Sequence, residues 1–152
     1  MKLTTKILLS AFICFAISKT SAQTFTWGAA SPSLKETDAK ILYPAMKRSA
    51  KHLKGYIGWA KYAPSWKMAT VQKFVSDHVD SDFPRFHLIF TIGYEVVGFG
   101  SLAPMPNPRD IQVALWVAYG HERRSIGTWI VQVLEWYAFY VFGYDNVYYQ
   151  HD

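Results

Sequence analysis

The chain holds a single cysteine, Cys14, and it sits in an N-terminal stretch that also lacks any acidic residue. If that stretch is removed, the rest of the chain has no disulfide, thiolate nucleophile or cysteine-ligated metal site. The five histidines show no metal-ligand spacing, so there is no zinc signature and no metal site is expected, and no Ser-His-Asp order stands out. No long-period repeat or low-complexity tract occurs. Net charge is scarce as well. Of the formal +5, Lys2, Lys6 and Lys19 supply three, which leaves +2 for the remainder. That argues against a nucleic-acid partner. The apolar run Ile7 to Ile17 is too short to span a bilayer, so no stable membrane span is expected.

Apolar and aromatic residues are abundant instead, at 51% and 17% of 152 positions. This excludes a disordered chain and suits one domain with a dense core. Lys2 and Lys6 precede the Ile7–Ile17 run, and Thr20-Ser21-Ala22 supplies small residues ahead of Gln23. Residues 1–22 therefore read as a secretory signal. Residues 23–33 read as a linker with what is left of a first strand, in which Phe25-Thr26-Trp27 serves and Ala29 to Ser33 links. The domain itself is read as 34–152.

Along that domain, Thr37 or Asp38 can cap a helix carrying Ile41, Leu42, Ala45 and Met46 at helical spacing, with Pro44 near its start. A second short helix is expected over Ala50 to Tyr56. Lys47, Arg48, Lys51 and Lys54 form a basic, solvated face. After Ala63-Pro64, Ser65 is expected to cap a third helix through His78, with Met68, Val71, Phe74 and Val75 inward. Phe86–Ile92 and Glu95–Leu102 read as strands joined by Gly93-Tyr94, and three prolines make Ala103–Arg109 a loop. A helix from Gly127 to Phe142 is apolar nearly all round, which implies burial with some partner contact.

The most informative stretch is Ile111 to Tyr149, with a strand over Asp110–Ala118, a polar turn, the apolar helix, and a last strand near Val147–His151. That order is a β-α-β unit with parallel strands. In the turn, His121-Glu122-Arg123-Arg124-Ser125-Ile126-Gly127-Thr128, the helix start leaves backbone N–H groups without partners at the positive end of the helix dipole. Phosphate is the natural guest there.

This segment resembles motif A of the GNAT superfamily of acyl-CoA-dependent N-acetyltransferases, in which a Gln/Arg-x-x-Gly-x-Gly/Ala turn grips the coenzyme A pyrophosphate. Gly127 matches, Glu122 stands where Gln or Arg is usual, and Ser125 takes the place of the first glycine. Val96-Val97-Gly98-Phe99-Gly100-Ser101-Leu102 resembles the family's third strand, and Ala114-Leu115-Trp116-Val117 its fourth. Asp38-Ala39, Leu42-Tyr43, Ser49, Leu53 and Tyr56-Ile57-Gly58-Trp59 resemble the first helices of the Rim-type (ribosomal-protein N-acetyltransferase-like) branch, whose members acetylate protein N-terminal amines, polyamines or related amines.

The resemblance implies an α/β (α+β) fold with a mixed central sheet flanked by helices, C-terminally truncated so that the final helix and hairpin are lacking. It implies acetyl-CoA as cofactor and a small-molecule or protein amine as acceptor. Trp116, Val117, Ala118, Arg123, Arg124, Ser125, Ile126, Gly127 and Thr128 would bind the cofactor, with a backbone N–H near Val117 or Ala118 polarising the thioester carbonyl. The helical region and the loop after Trp59 would line the acceptor groove, where Trp59 and Trp66 either hold an apolar substrate part or are core residues. The catalytic residues are not identified; Asp110, Glu95 and His121 are candidate bases. Side chains at Arg123 and Ser125 are expected to strain a turn that needs positive φ, with guanidinium offsetting part of the loss. Weak cofactor binding is the expected result.

The signal-like head points to export, whereas acetyl-CoA is cytoplasmic. Two further readings therefore stand beside the enzyme: an inactive truncated domain, and an exported binding module that uses the exposed sheet edge near Asn146–His151. That edge is also a possible route to a homo-oligomer.

Overall fold

The computed structural model describes residues 28–32, 35–79 and 86–149. The signal-like segment, Phe25-Thr26-Trp27 and the chain beyond Tyr149 lie outside the described residues. The described strands form one sheet in the order β1-β2-β3-β4-β5, comprising β1 (Gly28–Pro32), β2 (Phe86–Ile92), β3 (Glu95–Pro104), β4 (Asp110–Val117) and β5 (Asn146–Tyr149). The first four pair antiparallel and β4–β5 is parallel, as a β-α-β crossover requires. The expected linker is itself a strand. Gly28 to Pro32 pairs with Ile92 to Leu88, because small residues fit an edge whose backbone β2 can satisfy.

Helices cover both faces. The two short helices expected from the sequence are one, α1 (Ala39–Leu53), which runs through Pro44 in its second turn. Pro44 lies just past the unbonded first-turn amides, so the helix gives up one bond there, to the Lys40 carbonyl, and continues. The helix α2 (Met68–Val79) begins three residues later than expected. Ser65 ends a short 3-10 turn instead, and its hydroxyl donates to the Tyr62 carbonyl. Leu42, Met46, Val71 and Val75 from these helices bury against Ile89, Phe99 and Trp116 of the sheet. On the other face α3 (Ile126–Trp136) sets Ile130, Val133 and Leu134 against Leu88, Phe90, Val97, Leu102 and Val113. Period-two alternation along β2 sends Leu88 and Phe90 to α3, and His87 and Ile89 to the α1 side.

Two details shape the site. The β3 strand carries a bulge at Val97, where the pairing jumps from Phe90↔Gly98 to Thr91↔Val96, so β3 bends away from β2. The β4–β5 ladder spans only Asp110–Val113 with Asn146–Tyr149. Beyond Val113 the outer edge of β4 has no strand partner among the described residues. After Trp136 the helix widens into a π turn, Tyr137–Val141, closed by Phe142 N–H donating to Tyr137 O at 3.0 Å. No described helix is long and apolar enough to cross a membrane.

Candidate functional site

The turn between β4 and α3 is held at both ends. Ala118 N–H donates to Val97 O at 2.8 Å, His121 N–H to Ala118 O at 3.0 Å, and Tyr119 N–H to the Ser49 hydroxyl at 3.0 Å. Glu122 Oε2 accepts from Gly120 N–H at 2.8 Å, and its buried Oε1 lies 3.3 Å from His52 Nε2. Burial is the largest influence on this carboxyl and pushes its pKa up. The N–H groups of Glu122 and Gly120, then the nearby His52 and His121, outweigh it, so the net position is below the ordinary 4.5. Glu122, which departs from the motif, thus folds the turn and docks it on α1.

Arg123 and Ser125 both have left-handed backbones, φ 59° and 58°. The sequence reading expected side chains at these positions to strain the turn, and both residues do carry that strain while keeping the shape. Among the described residues, no acceptor takes the N–H groups of Arg123 through Thr128, and the first bond of α3 runs from Trp129 N–H to Ser125 O. The Ser125 side chain does not cap them. Six amides at the positive end of α3 therefore lack acceptors among the described residues, beside the exposed guanidinium groups of Arg123 and Arg124. Gly127 is not forced by space: an added Cβ would meet only Val117 Cγ2, at 3.7 Å.

A groove of about 810 Å³ follows β4 as far as Val117, which lies beside Gly127 of this turn. Val113, Leu115, Val117, Val131 and Tyr149 line it on the α3 side. His87, Phe99, Ser101, Ala114 and Trp116 form its wall on the other face, with Trp59, Leu42, Met46 and Phe74 above them. The opening past Val113 thus joins the two faces of the sheet. Because Ala118 donates to β3, strand alternation turns the Val117 amide the opposite way, towards the open edge. Of the two amides named from the sequence, Val117 is the one free to polarise a carbonyl.

The candidate bases lie elsewhere. Asp110 is buried at the far end of β4, where Oδ2 accepts from Asn107 and Oδ1 from Asn146, at 3.0 and 2.9 Å. Glu95 lies 3.0 Å from Arg48 Nη2 and 3.3 Å from His121 Nε2. None of the three lines the groove. His87 and Tyr149 do, and the sequence did not single them out. Alternation in β2 would have placed His87 on the Trp116 face, whereas Tyr149 needs the β4–β5 register to be seen. The Tyr149 hydroxyl donates to Glu135 of α3; burial first, then that bond and charge, push its pKa strongly upward, so it stays protonated. Of the two flagged tryptophans, Trp59 lines the groove; Trp66 packs behind it, ring centroids 5.9 Å apart. Among the described residues no cluster of His, Cys, Asp or Glu could hold a metal.

A bulged third strand, a fourth strand paired with the fifth over Asp110–Val113 among the described residues, and a turn leading into the following helix make up a mixed α/β scaffold. Comparison with solved structures agrees: the chain has the fold of the GNAT acetyltransferases. It is similar to RimL, a ribosomal-protein alpha-N-acetyltransferase solved with coenzyme A, at TM-score 0.60 and 14% identity, over 70% of this chain and 61% of that one. It is similar to a chimera of spermidine N-acetyltransferase SpeG from Vibrio cholerae with its human counterpart, at TM-score 0.60 and 10% identity, over 79% and 68%. A third is a GNAT-family acetyltransferase from Streptococcus pneumoniae, at TM-score 0.54 and 10% identity, over 72% and 66%. The chain thus spans less than two thirds of the first and third. No family model and no curated relative matches the sequence.

Proposed function

We propose that the protein is an acetyl-CoA-dependent N-acetyltransferase acting on an amine. The observation that carries this reading is the turn Arg123–Thr128, whose six amides find no acceptor among the described residues and whose two guanidiniums are exposed, next to Val117, a lining residue of the groove along β4. These residues suit coenzyme A. Left-handed Arg123 and Ser125 aim consecutive N–H groups at one diphosphate. Apolar Leu115, Val117 and Val131 suit a pantetheine arm entering between the strands. The similar structures include one solved with coenzyme A.

When bound, the cofactor supplies an acetyl thioester: the acceptor nitrogen bonds the acetyl carbon, the C–S bond breaks, nitrogen loses a proton and sulfur gains one. The chain's own part is chiefly positional. Val117 N–H would stabilise the negative charge that develops on the carbonyl oxygen of a thioester held along β4. Trp116 and Leu115 keep water from that point. His87 is the groove's imidazole, the side-chain type that takes a proton from an ammonium near neutral pH. Tyr149, held protonated against Glu135, presents a hydroxyl on the opposite wall.

Isothermal titration of the full chain with coenzyme A tests this. Heat of binding that weakens when Arg123 and Arg124 are both changed to alanine is the expected result. No heat at millimolar coenzyme A overturns the reading.

A further inference from the structure

The acceptor end of the groove is a run of rings. His87 stacks on Phe99 with centroids 5.6 Å apart, Phe99 stacks on Trp116 at 6.2 Å, and Trp116 meets Trp59 edge-on at 5.6 Å. Behind them Trp59 continues to Trp66 and Trp66 to Phe74, at 5.9 and 6.4 Å. The series passes through Trp116, the residue before Val117 in β4. These contacts fix the rings as a rigid wall rather than leave them to fold into the opening.

The charge pattern is as informative as the shape. Among the described residues, no Asp, Glu, Lys or Arg lines the groove. The nearby Glu95 is engaged outside it, with Arg48 and His121. A ligand ammonium inside would find ring faces, which suit a single cation, but no carboxylate to neutralise a second or third. The spermidine acetyltransferase that shares this fold acts on a polycation. A groove walled by aromatic faces, with no carboxylate among its described lining residues, suits a different acceptor.

Resting on the acetyl-transfer reading above, we propose that the acceptor is a monoamine with a flat apolar body, an arylalkylamine, whose ring lies along Trp59 and Trp116 and whose nitrogen points towards Val117. The products are the N-acetyl amide and the free thiol. The neutral amine nitrogen forms the new C–N bond, the C–S bond breaks, and the proton lost from nitrogen balances the one gained by sulfur. Charge complementarity selects this occupant over a polyamine, and continuity with the opening beside β4 selects it over a ligand bound elsewhere.

The test has two arms on the full chain. In the first, thiol release from acetyl-CoA is followed with phenethylamine and with spermidine. The expected kcat/KM is higher for phenethylamine by about tenfold or more, the scale on which unpaired buried charge discriminates. Equal or better turnover of spermidine overturns the proposal and leaves acetyl transfer standing. In the second, saturation-transfer NMR without cofactor asks whether phenethylamine ring protons receive magnetisation from the protein. Transfer that Trp59→Ala abolishes supports the proposal even if coenzyme A fails to bind; no transfer overturns it. Exposed Tyr56 at the groove mouth gives a converse variant. Tyr56→Glu should raise spermidine binding, and no gain counts against the charge argument.

Discussion

The hydroxyl of Ser49 accepts the Tyr119 N–H at 3.0 Å while donating to the Ala45 carbonyl at 2.7 Å, across 70 positions of sequence. One fully buried side chain thereby fastens α1 to the start of the turn between β4 and α3. Ser49→Ala removes the acceptor and leaves a part-buried amide unsatisfied, which costs about 1–3 kcal/mol. Thermal unfolding should show a lower Tm, and titration should show weaker coenzyme A binding, because the turn loses its anchor. An unchanged Tm would mean that water replaces Ser49 without loss.

The two left-handed residues give opposite forecasts for stability and binding. A non-glycine residue in this conformation costs roughly 1–2 kcal/mol, and glycine removes that strain while giving back about 0.5–1 kcal/mol of chain entropy. Ser125→Gly should therefore raise stability slightly and leave coenzyme A affinity equal or better. Arg123→Gly should relieve the same strain but weaken binding, since it also deletes a guanidinium. Denaturant midpoints and calorimetric affinities separate the two effects. A destabilised Ser125→Gly would show that the positive φ is not strained.

Much of this frame was legible in the sequence, and the failures share a physical cause. The strands β2, β3 and β4, the apolar α3 and the turn are all local patterns of period and punctuation, and the structure shows them within a few residues of expectation. The joined α1 was missed because a proline early in a helix reads like a boundary. The strand Gly28–Pro32 was missed because small residues have little strand preference of their own, so pairing with β2 decides it. Arg123 and Ser125 were flagged as replacements for glycine, yet sequence could not show that both would adopt positive φ. The groove was least legible: His87, Trp59, Trp116 and Tyr149 come from four separate segments and meet only through sheet register.

Glu122 makes the turn sensitive to acid. Burial raises its pKa, but its own and Gly120's N–H groups, His52 and His121 lower it further, so the folded value lies below the ordinary 4.5. A carboxyl with a depressed folded pKa stabilises the fold above its unfolded pKa and loses that contribution as pH falls through the folded one. Glu122→Gln should thus be less stable than the parent near pH 6, by no more than about 1 kcal/mol for so accessible a pair. The two proteins should converge as pH falls through that depressed folded value. Melting curves across this range check it, and a constant difference at every pH would rule out the charge as the cause.

Two glycines of β3 let α3 lie directly on the sheet, and they should differ in what they tolerate. A Cβ on Gly100 would meet Leu134 Cδ1 at 2.7 Å and Cδ2 at 3.2 Å, both side-chain atoms. A Cβ on Gly98 would meet Ile130 Cδ1 at 2.5 Å and also the Trp116 carbonyl oxygen at 2.9 Å, which belongs to the neighbouring strand. Overpacking of this kind costs about 1–3 kcal/mol, and a backbone contact cannot relax by a rotamer change. Gly98→Ala should therefore be the worse of the two, with the groove distorted as β4 is pushed outward beside Val117. Trimming the opposing side chain tests the mechanism. Leu134→Ala costs stability alone, but adding Gly100→Ala to it should cost less than Gly100→Ala costs by itself, since only Ile130 Cγ2, at 3.3 Å, is left in the way. Ile130→Val deletes only Cδ1, so it should rescue Gly98→Ala in part, because the carbonyl stays where it is. Full rescue at Gly98 would show that β4 yields more easily than α3.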